Sequence, residues 1–372
     1  MMNNKAFSNR IFATFLFLLI GILLVGCGGG KTESSSTGSE KNETENQSNE
    51  SSQSKDGEVF ELNINNWAPS THHIATNVYE PWKEMVEEKT DGQVKVNIYH
   101  GATLGKTPSV YQDVKGGLYE VGLLAAAYSY DTEFFPYSIG NLPFAVESPE
   151  EGAVVLKEFA EKFVKEGITG VIAMDAFTSD PYNIFSTKPV KAATDMKKAK
   201  IRAGSKSETE LIKALGGVPV SITVDDTYEG LQKKTIETTF YSPVGAYGYK
   251  FYEPAPYITK ANIATTTLIP VMNKEFHDKL PDDLQKLFDE ELNPALTELF
   301  VKSYSDQLAG AFDKLEEVLS DRGEIIELPE KELENFKEAG EAAWDAWVKD
   351  ANERGYEGDK MIEDFRKLLE EN

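Results

Sequence analysis

A single cysteine, Cys27, stands in the 372 residues. One thiol excludes an intramolecular disulfide and any metal centre built from cysteines. Histidine is nearly as scarce. The four present, His72, His73, His100 and His277, include no pair at the spacing by which a helix presents two imidazoles to zinc. Cations are outnumbered, 38 Lys and Arg against 62 Asp and Glu, for a formal net charge of −24. Nothing basic is clustered enough to neutralise phosphates, so nucleic acid is excluded as a partner. The chain has no Gly-x-Ser-x-Gly elbow, no His-Glu-x-x-His, no Gly-rich phosphate loop and no internal repeat. Each would have signalled a chemistry or a fold that is therefore not indicated. In so acidic a sequence paired carboxylates carry no catalytic information. No catalytic residue, metal ligand or cofactor is assigned.

What is present fits two domains with a sizeable core, since 40% of the residues are hydrophobic and 11% aromatic. Lys5 and Arg10 precede an apolar run from Ile11 to Val25, which is short for a membrane span and reads as a signal peptide over 1–26. The run ends Leu24-Val25-Gly26-Cys27, which resembles the lipobox of bacterial lipoproteins. The resemblance implies cleavage before Cys27 and lipidation of it. Residues 27–57 are Ser, Glu, Asn, Thr, Gln and Gly with almost nothing apolar, too little to offset the entropy of ordering. They are expected to be a disordered tether.

Beyond that, strand and helix signals alternate. Val59 to Asn65, Val94 to Tyr99, Val121 to Ala125 and Gly170 to Ala173 read as strands, and Thr265 to Met272 as a strand re-entering the first sheet. Thr107-Pro108 reads as an N-cap with Pro at the first helical position, and Ser148-Pro149-Glu150-Glu151 as a capping box. Pro281 is expected to open a helix reaching Leu319; Pro329 to Glu353 and Gly358 to Glu371 are amphipathic helices. Trp344 and Trp347, three apart on one face, are read as core. This rhythm predicts α/β architecture with parallel sheets, and ligands at the carboxyl ends of strands.

The most informative stretch runs from Lys197 to Pro243. A short strand carries Arg202 outward, Gly204 breaks it, and Ser205-x-x-Glu208 caps a helix that stops at Gly216-Gly217. A guanidinium beside a helix N-terminus suits a carboxylate. The order Asp195-Met196-Lys197-Lys198-Ala199-Lys200-Ile201-Arg202, Leu215 to Pro219, Tyr228 to Gln232 and Ile236 to Pro243 resembles the DctP-type substrate-binding proteins of tripartite ATP-independent periplasmic (TRAP) transporters. Their signature runs D-M-K-G-x-K-x-R, L-G-x-x-P, Y-x-x-L-Q, V-D-G-x-x-x-P. Three departures stand out. Lys198 occupies the usual Gly, Glu237-Thr238 the usual Asp-Gly, and Tyr182 stands near the place where many members carry a second Arg.

The resemblance implies a two-lobe, periplasmic-binding-protein-like fold with a ligand cleft between lobes and long C-terminal helices. Lobe 1 would comprise 58–179 and 267–307, and lobe 2 would comprise 180–266 and 308–372. Arg202 would bind the substrate carboxylate. Segments following strands would supply Trp67, His72, Tyr128, Tyr130, Phe177, Tyr182, Tyr241 and Ser242 as further ligand contacts. One Arg matches one carboxylate, which favours a monocarboxylate with an apolar or aromatic body. The expected protein is a monomeric extracytoplasmic lipoprotein that delivers an organic anion to TRAP membrane subunits. A binding protein of another importer or signalling system, or a lipid-anchored enzyme acting on an organic acid, is the alternative.

Overall fold

The computed structural model describes residues 59–372 apart from 165 and 166. The expected signal peptide, Cys27 and tether lie outside the described residues. Twelve strands are found among the described residues: β1 (Phe60–Asn66), β2 (Val94–His100), β3 (Val121–Ala125), β4 (Val171–Ala173), β5 (Phe177–Thr178), β6 (Asn183–Ser186), β7 (Lys200–Ala203), β8 (Val218–Ser221), β9 (Thr238–Tyr241), β10 (Tyr257–Lys260), β11 (Thr267–Asn273) and β12 (Glu324–Glu327). They form two six-stranded sheets, one ordered β2-β1-β3-β11-β4 with β5 on β11, the other β12-β10-β6-β9-β7-β8.

The βαβ expectation holds where helices separate consecutive strands: β1 runs parallel to β2 and β3, and β7 parallel to β8 and β9. It fails at β11, which is antiparallel to β3, β4 and β5, and at β6, antiparallel to β9 and β10. Both exceptions come from the chain crossing between sheets. Past β5 it enters the second sheet as β6, and past β10 it returns as β11. The two crossings run side by side, with Ser179 N–H on Thr266 O (3.0 Å), Tyr182 N–H on Ala264 O (2.6 Å) and Ile263 N–H on Tyr182 O (2.8 Å). An antiparallel ribbon therefore links the sheets.

Each sheet has its own core. Leu62, Ile64, Val96, Leu123, Phe159, Phe177 and Phe300 belong to the first, and Phe185, Ile201, Leu211, Ile212, Phe240 and Ile258 to the second. Full burial of each such side chain contributes about 1.5–3 kcal/mol. The C-terminal segment packs on both cores. Helix Glu330–Glu353 places Phe336 in the second core but Trp344, Trp347 and Ala351 in the first, and helix Gly358–Glu371 packs on the first through Met361 and Phe365. Trp344 and Trp347 are core residues, their ring N–H groups donating to Pro143 O (3.0 Å) and Ser138 Oγ (2.8 Å).

Two local readings are corrected. Lys106, not Thr107, is the cap residue of the Thr107–Ser109 turn, because the Thr107 hydroxyl donates to Asp225. The helical run expected to reach Leu319 breaks before Ala311, leaving Asn293–Leu308 and Ala311–Leu319, with Gly310 as the second helix's N-cap. Among the described residues no helix is long and apolar enough to cross a membrane.

Candidate functional site

Ile201 of β7 points into the second core, and alternation would turn Arg202 to the opposite side of the strand, yet Arg202 is buried as well, 3% exposed. It lies under the first sheet rather than in water. Its Nη2 donates to the Tyr128 hydroxyl at 3.0 Å, its guanidinium lies 5.9 Å from the Tyr241 ring centroid, and its buried Nε has no protein partner. Gly204 makes this pose possible. A Cβ there would stand 2.5 Å from Nη2 and 2.7 Å from Nη1.

Half of the expected capping box forms, because the Glu208 side chain reaches past the Ser205 N–H to that of Gly204. Ser205 Oγ accepts from Glu208 N–H at 3.0 Å, and Glu208 Oε2 accepts from Gly204 N–H at 2.6 Å. That turn brings a buried carboxylate to 3.9 Å from Arg202 Nη1. Burial disfavours the Arg202 charge, but the surrounding tyrosine oxygens and Glu208 outweigh it and hold the pKa above its ordinary value. For Glu208 burial wins, and its pKa is raised despite Arg202 and the Gly204 N–H.

These groups line a cavity together with Trp67, Asn141, Tyr182, Val224, Tyr241, Thr265 and Thr266, and Arg202 is the only cation among its lining residues. The cavity volume is about 30 Å³, well short of the roughly 150 Å³ of a cavity that admits benzene. The described form is thus nearly closed, and an organic ligand requires the walls to move apart. The bonds that hold it shut are visible. Tyr128 Oη also accepts from Val224 N–H (3.0 Å), Thr107 Oγ1 donates to Asp225 Oδ1 (3.0 Å), and Lys106 Nζ pairs with Asp226 (2.9 Å).

Of the residues singled out from the sequence, Arg202, Trp67, Tyr128, Tyr182 and Tyr241 come together around this cavity. The other four do not line it. Ser242 is turned to cap helix Pro243–Gly248, accepting from Gly245 N–H at 2.9 Å and donating to the buried Asp180. His72 packs edge-on to Tyr249, over a glycine, Gly248, that leaves room for its ring; burial holds its pKa down to about 3. Tyr130 faces helix Glu330–Glu353, donating to Asp350 at 2.9 Å. Phe177 stacks on Phe300 in the first core, centroids 5.2 Å apart. Neither Lys200 nor Lys206, the lysines nearest to Arg202 on either side in the sequence, lines the cavity.

Sequence reasoning missed six polar lining residues. Thr107, Ser205 and Glu208 were legible only as caps. Thr265 and Thr266 sit on the returning crossing just before β11, a position that the strand signal could have flagged. Asn141 ends the 3-10 segment Phe135–Asn141, which no periodicity announces; its amide oxygen accepts from Thr267 N–H at 2.6 Å and its buried Nδ2 is unpartnered.

The chain is similar in sequence and in fold to known binding proteins. The chain is 22% identical over 58% of its length to the 2,3-diketo-L-gulonate-binding periplasmic protein YiaO of Escherichia coli, and spans just under two thirds (66%) of that protein. It is 23% identical to the C4-dicarboxylate-binding periplasmic protein DctP of Vibrio cholerae, covering 74% of this chain and 82% of that one. A solved TRAP solute-binding protein from Rhodoferax ferrireducens, in complex with copurified benzoate, superposes with a TM-score of 0.77 at 21% identity, covering 84% of this chain and 98% of that one. Residues 64–350 match the family described as bacterial extracellular solute-binding protein, family 7. With the family model matched over most of its length, the chain belongs to this DctP family.

Proposed function

We propose that this protein is the extracytoplasmic substrate-binding component of a TRAP transporter, which captures an organic carboxylate in the cleft at Arg202 and delivers it to membrane subunits. The observation that carries the reading is Arg202 itself: a buried guanidinium, the sole cation of the cavity, with an unpaired Nε. Glu208 approaches it only to 3.9 Å, outside hydrogen-bond range, so the planar fork of the guanidinium stays available to a ligand carboxylate. Trp67, Tyr182 and Tyr241 supply flat apolar walls, the two tyrosines with hydroxyl handles. One fixed cation offers its donors to one carboxylate, so a monocarboxylate with an apolar or aromatic body is favoured. Ligand contacts to both sheets at once would bias the cleft toward closure.

The role is capture without turnover, as a monomer held outside the cell through lipid on Cys27. The Leu-Val-Gly-Cys sequence supports the anchor, and loss of membrane fractionation in Cys27→Ser checks it. Thermal-shift screening against benzoate, phenylacetate and succinate tests the main claim, since a ligand at about 100 times its dissociation constant adds about 2.7 kcal/mol of stability. A shift with the monocarboxylates is expected. No shift with any carboxylic acid would refute the reading.

A further inference from the structure

The cavity is lined by one cation and one anion. Arg202 and Glu208 have side chains 4% and 7% exposed and approach to 3.9 Å, outside hydrogen-bond range. No other lining residue is ionisable except tyrosine. The site is therefore charge-balanced before any ligand arrives. Resting on the proposed carboxylate capture, we infer that Glu208 is a specificity-determining residue, which makes the cleft select carboxylic acids bearing a hydrogen-bond donor, ammonium above all, next to the carboxylate.

Three observations carry this. A plain monocarboxylate on Arg202 would bring a second negative charge close to a Glu208 carboxylate that water barely reaches, and like charges at such distances repel strongly in a low dielectric. A zwitterion adds no net charge. Secondly, only one Glu208 oxygen is engaged by protein: Oε2 accepts from Gly204 N–H at 2.6 Å, while among the described residues Oε1 receives no hydrogen bond. That oxygen is an acceptor without a donor on a side chain that lines the cavity. Thirdly, capping alone does not require the charge. Gln serves as well as Glu at the third position of a capping box, so a merely structural residue here could be neutral.

The same equivalence gives a clean variant, because Glu208→Gln keeps the cap and removes the charge. Phenylacetate, mandelate and phenylglycine differ only in the group next to the carboxylate: hydrogen, hydroxyl or ammonium. Each is titrated by calorimetry into the wild-type protein, Glu208→Gln and Arg202→Ala, with melting curves as a check on folding. In the wild type, phenylglycine is expected to bind at least about tenfold tighter than phenylacetate, a difference well within what one buried charge contact supplies, with mandelate between. In Glu208→Gln the gap should close to within about threefold, phenylacetate gaining and phenylglycine losing. An unchanged order in Glu208→Gln, or wild-type preference for phenylacetate, overturns the inference while phenylacetate binding that disappears in Arg202→Ala leaves carboxylate capture standing. Failure of all three acids to bind the wild type overturns both.

Discussion

The hydroxyl of Tyr128, carried just beyond β3 of the first sheet, accepts a hydrogen bond at 3.0 Å from the guanidinium of Arg202 on β7 of the second. The same oxygen accepts from Val224 N–H at 3.0 Å, in the 3-10 turn Val224–Asp226 that follows β8 of that second sheet. One side chain thus ties the anchoring charge of the cleft to its closure.

Tyr128→Phe should loosen both. The substitution leaves Arg202 Nη2 and Val224 N–H without their acceptor in the closed form, a cost of about 1–3 kcal/mol for each buried group left unpaired. Carboxylate affinity is expected to fall on the order of tenfold, and the ligand-free protein to become more extended. Calorimetry with small-angle scattering checks this; unchanged affinity and radius would show that the bridge is incidental.

Lys198 occupies a left-handed conformation, φ +62°, and its N–H donates to Gly216 O at 2.8 Å. That explains why Gly is usual at this place in the family signature. A Cβ in this region costs roughly 1 kcal/mol, offset in part by the extra freedom that Gly gives the unfolded chain. Lys198→Gly should therefore stabilise the protein by a few tenths to about 1 kcal/mol, read as a raised urea midpoint. A lowered midpoint would contradict the strain argument.

Asp180 is buried at the start of the crossing between the sheets, and burial pushes its pKa up to about 7 although Ser242 Oγ and Val244 N–H both bond the carboxylate. The unfolded chain releases this proton near the usual value of about 4 and the folded one near 7, so between these pH values the native state holds more protons. Stability from this group accordingly falls as pH rises through that window and is level above it. Relative to Asp180→Asn, the wild type should lose stability between about pH 4 and 7, at on the order of 1 kcal/mol per unit. Urea unfolding of both proteins across that range measures the difference. Parallel profiles would mean that Asp180 is already ionised in the fold.

The sequence and the structure agree most closely where local chemistry decides the outcome. A strand, a glycine and a capping box are short-range signals, and they placed Arg202 at a helix N-terminus without knowledge of what lies opposite. Aromatic residues following strands, Trp67, Tyr128, Tyr182 and Tyr241, were legible for the same reason. The misplaced residues were decided by distant partners. Ser242 answers to Asp180, His72 to the space over Gly248, Tyr130 to Asp350 and Phe177 to Phe300. No periodicity encodes such pairings. Sheet direction was legible for consecutive strands and not for β6 and β11, whose orientation follows from where the chain crosses. In helix Glu330–Glu353 one apolar face serves two cores in succession.

The most direct test of the central claim is calorimetric titration of one carboxylic acid that shifts the melting temperature into the wild-type protein, Arg202→Lys and Arg202→Ala. Removing one partner of a buried charged pair costs about 2–5 kcal/mol, and Lys keeps the charge without the planar fork. Binding should weaken strongly in Arg202→Lys and become unmeasurable in Arg202→Ala, with both variants folded. Wild-type affinity in a folded Arg202→Ala would contradict the account.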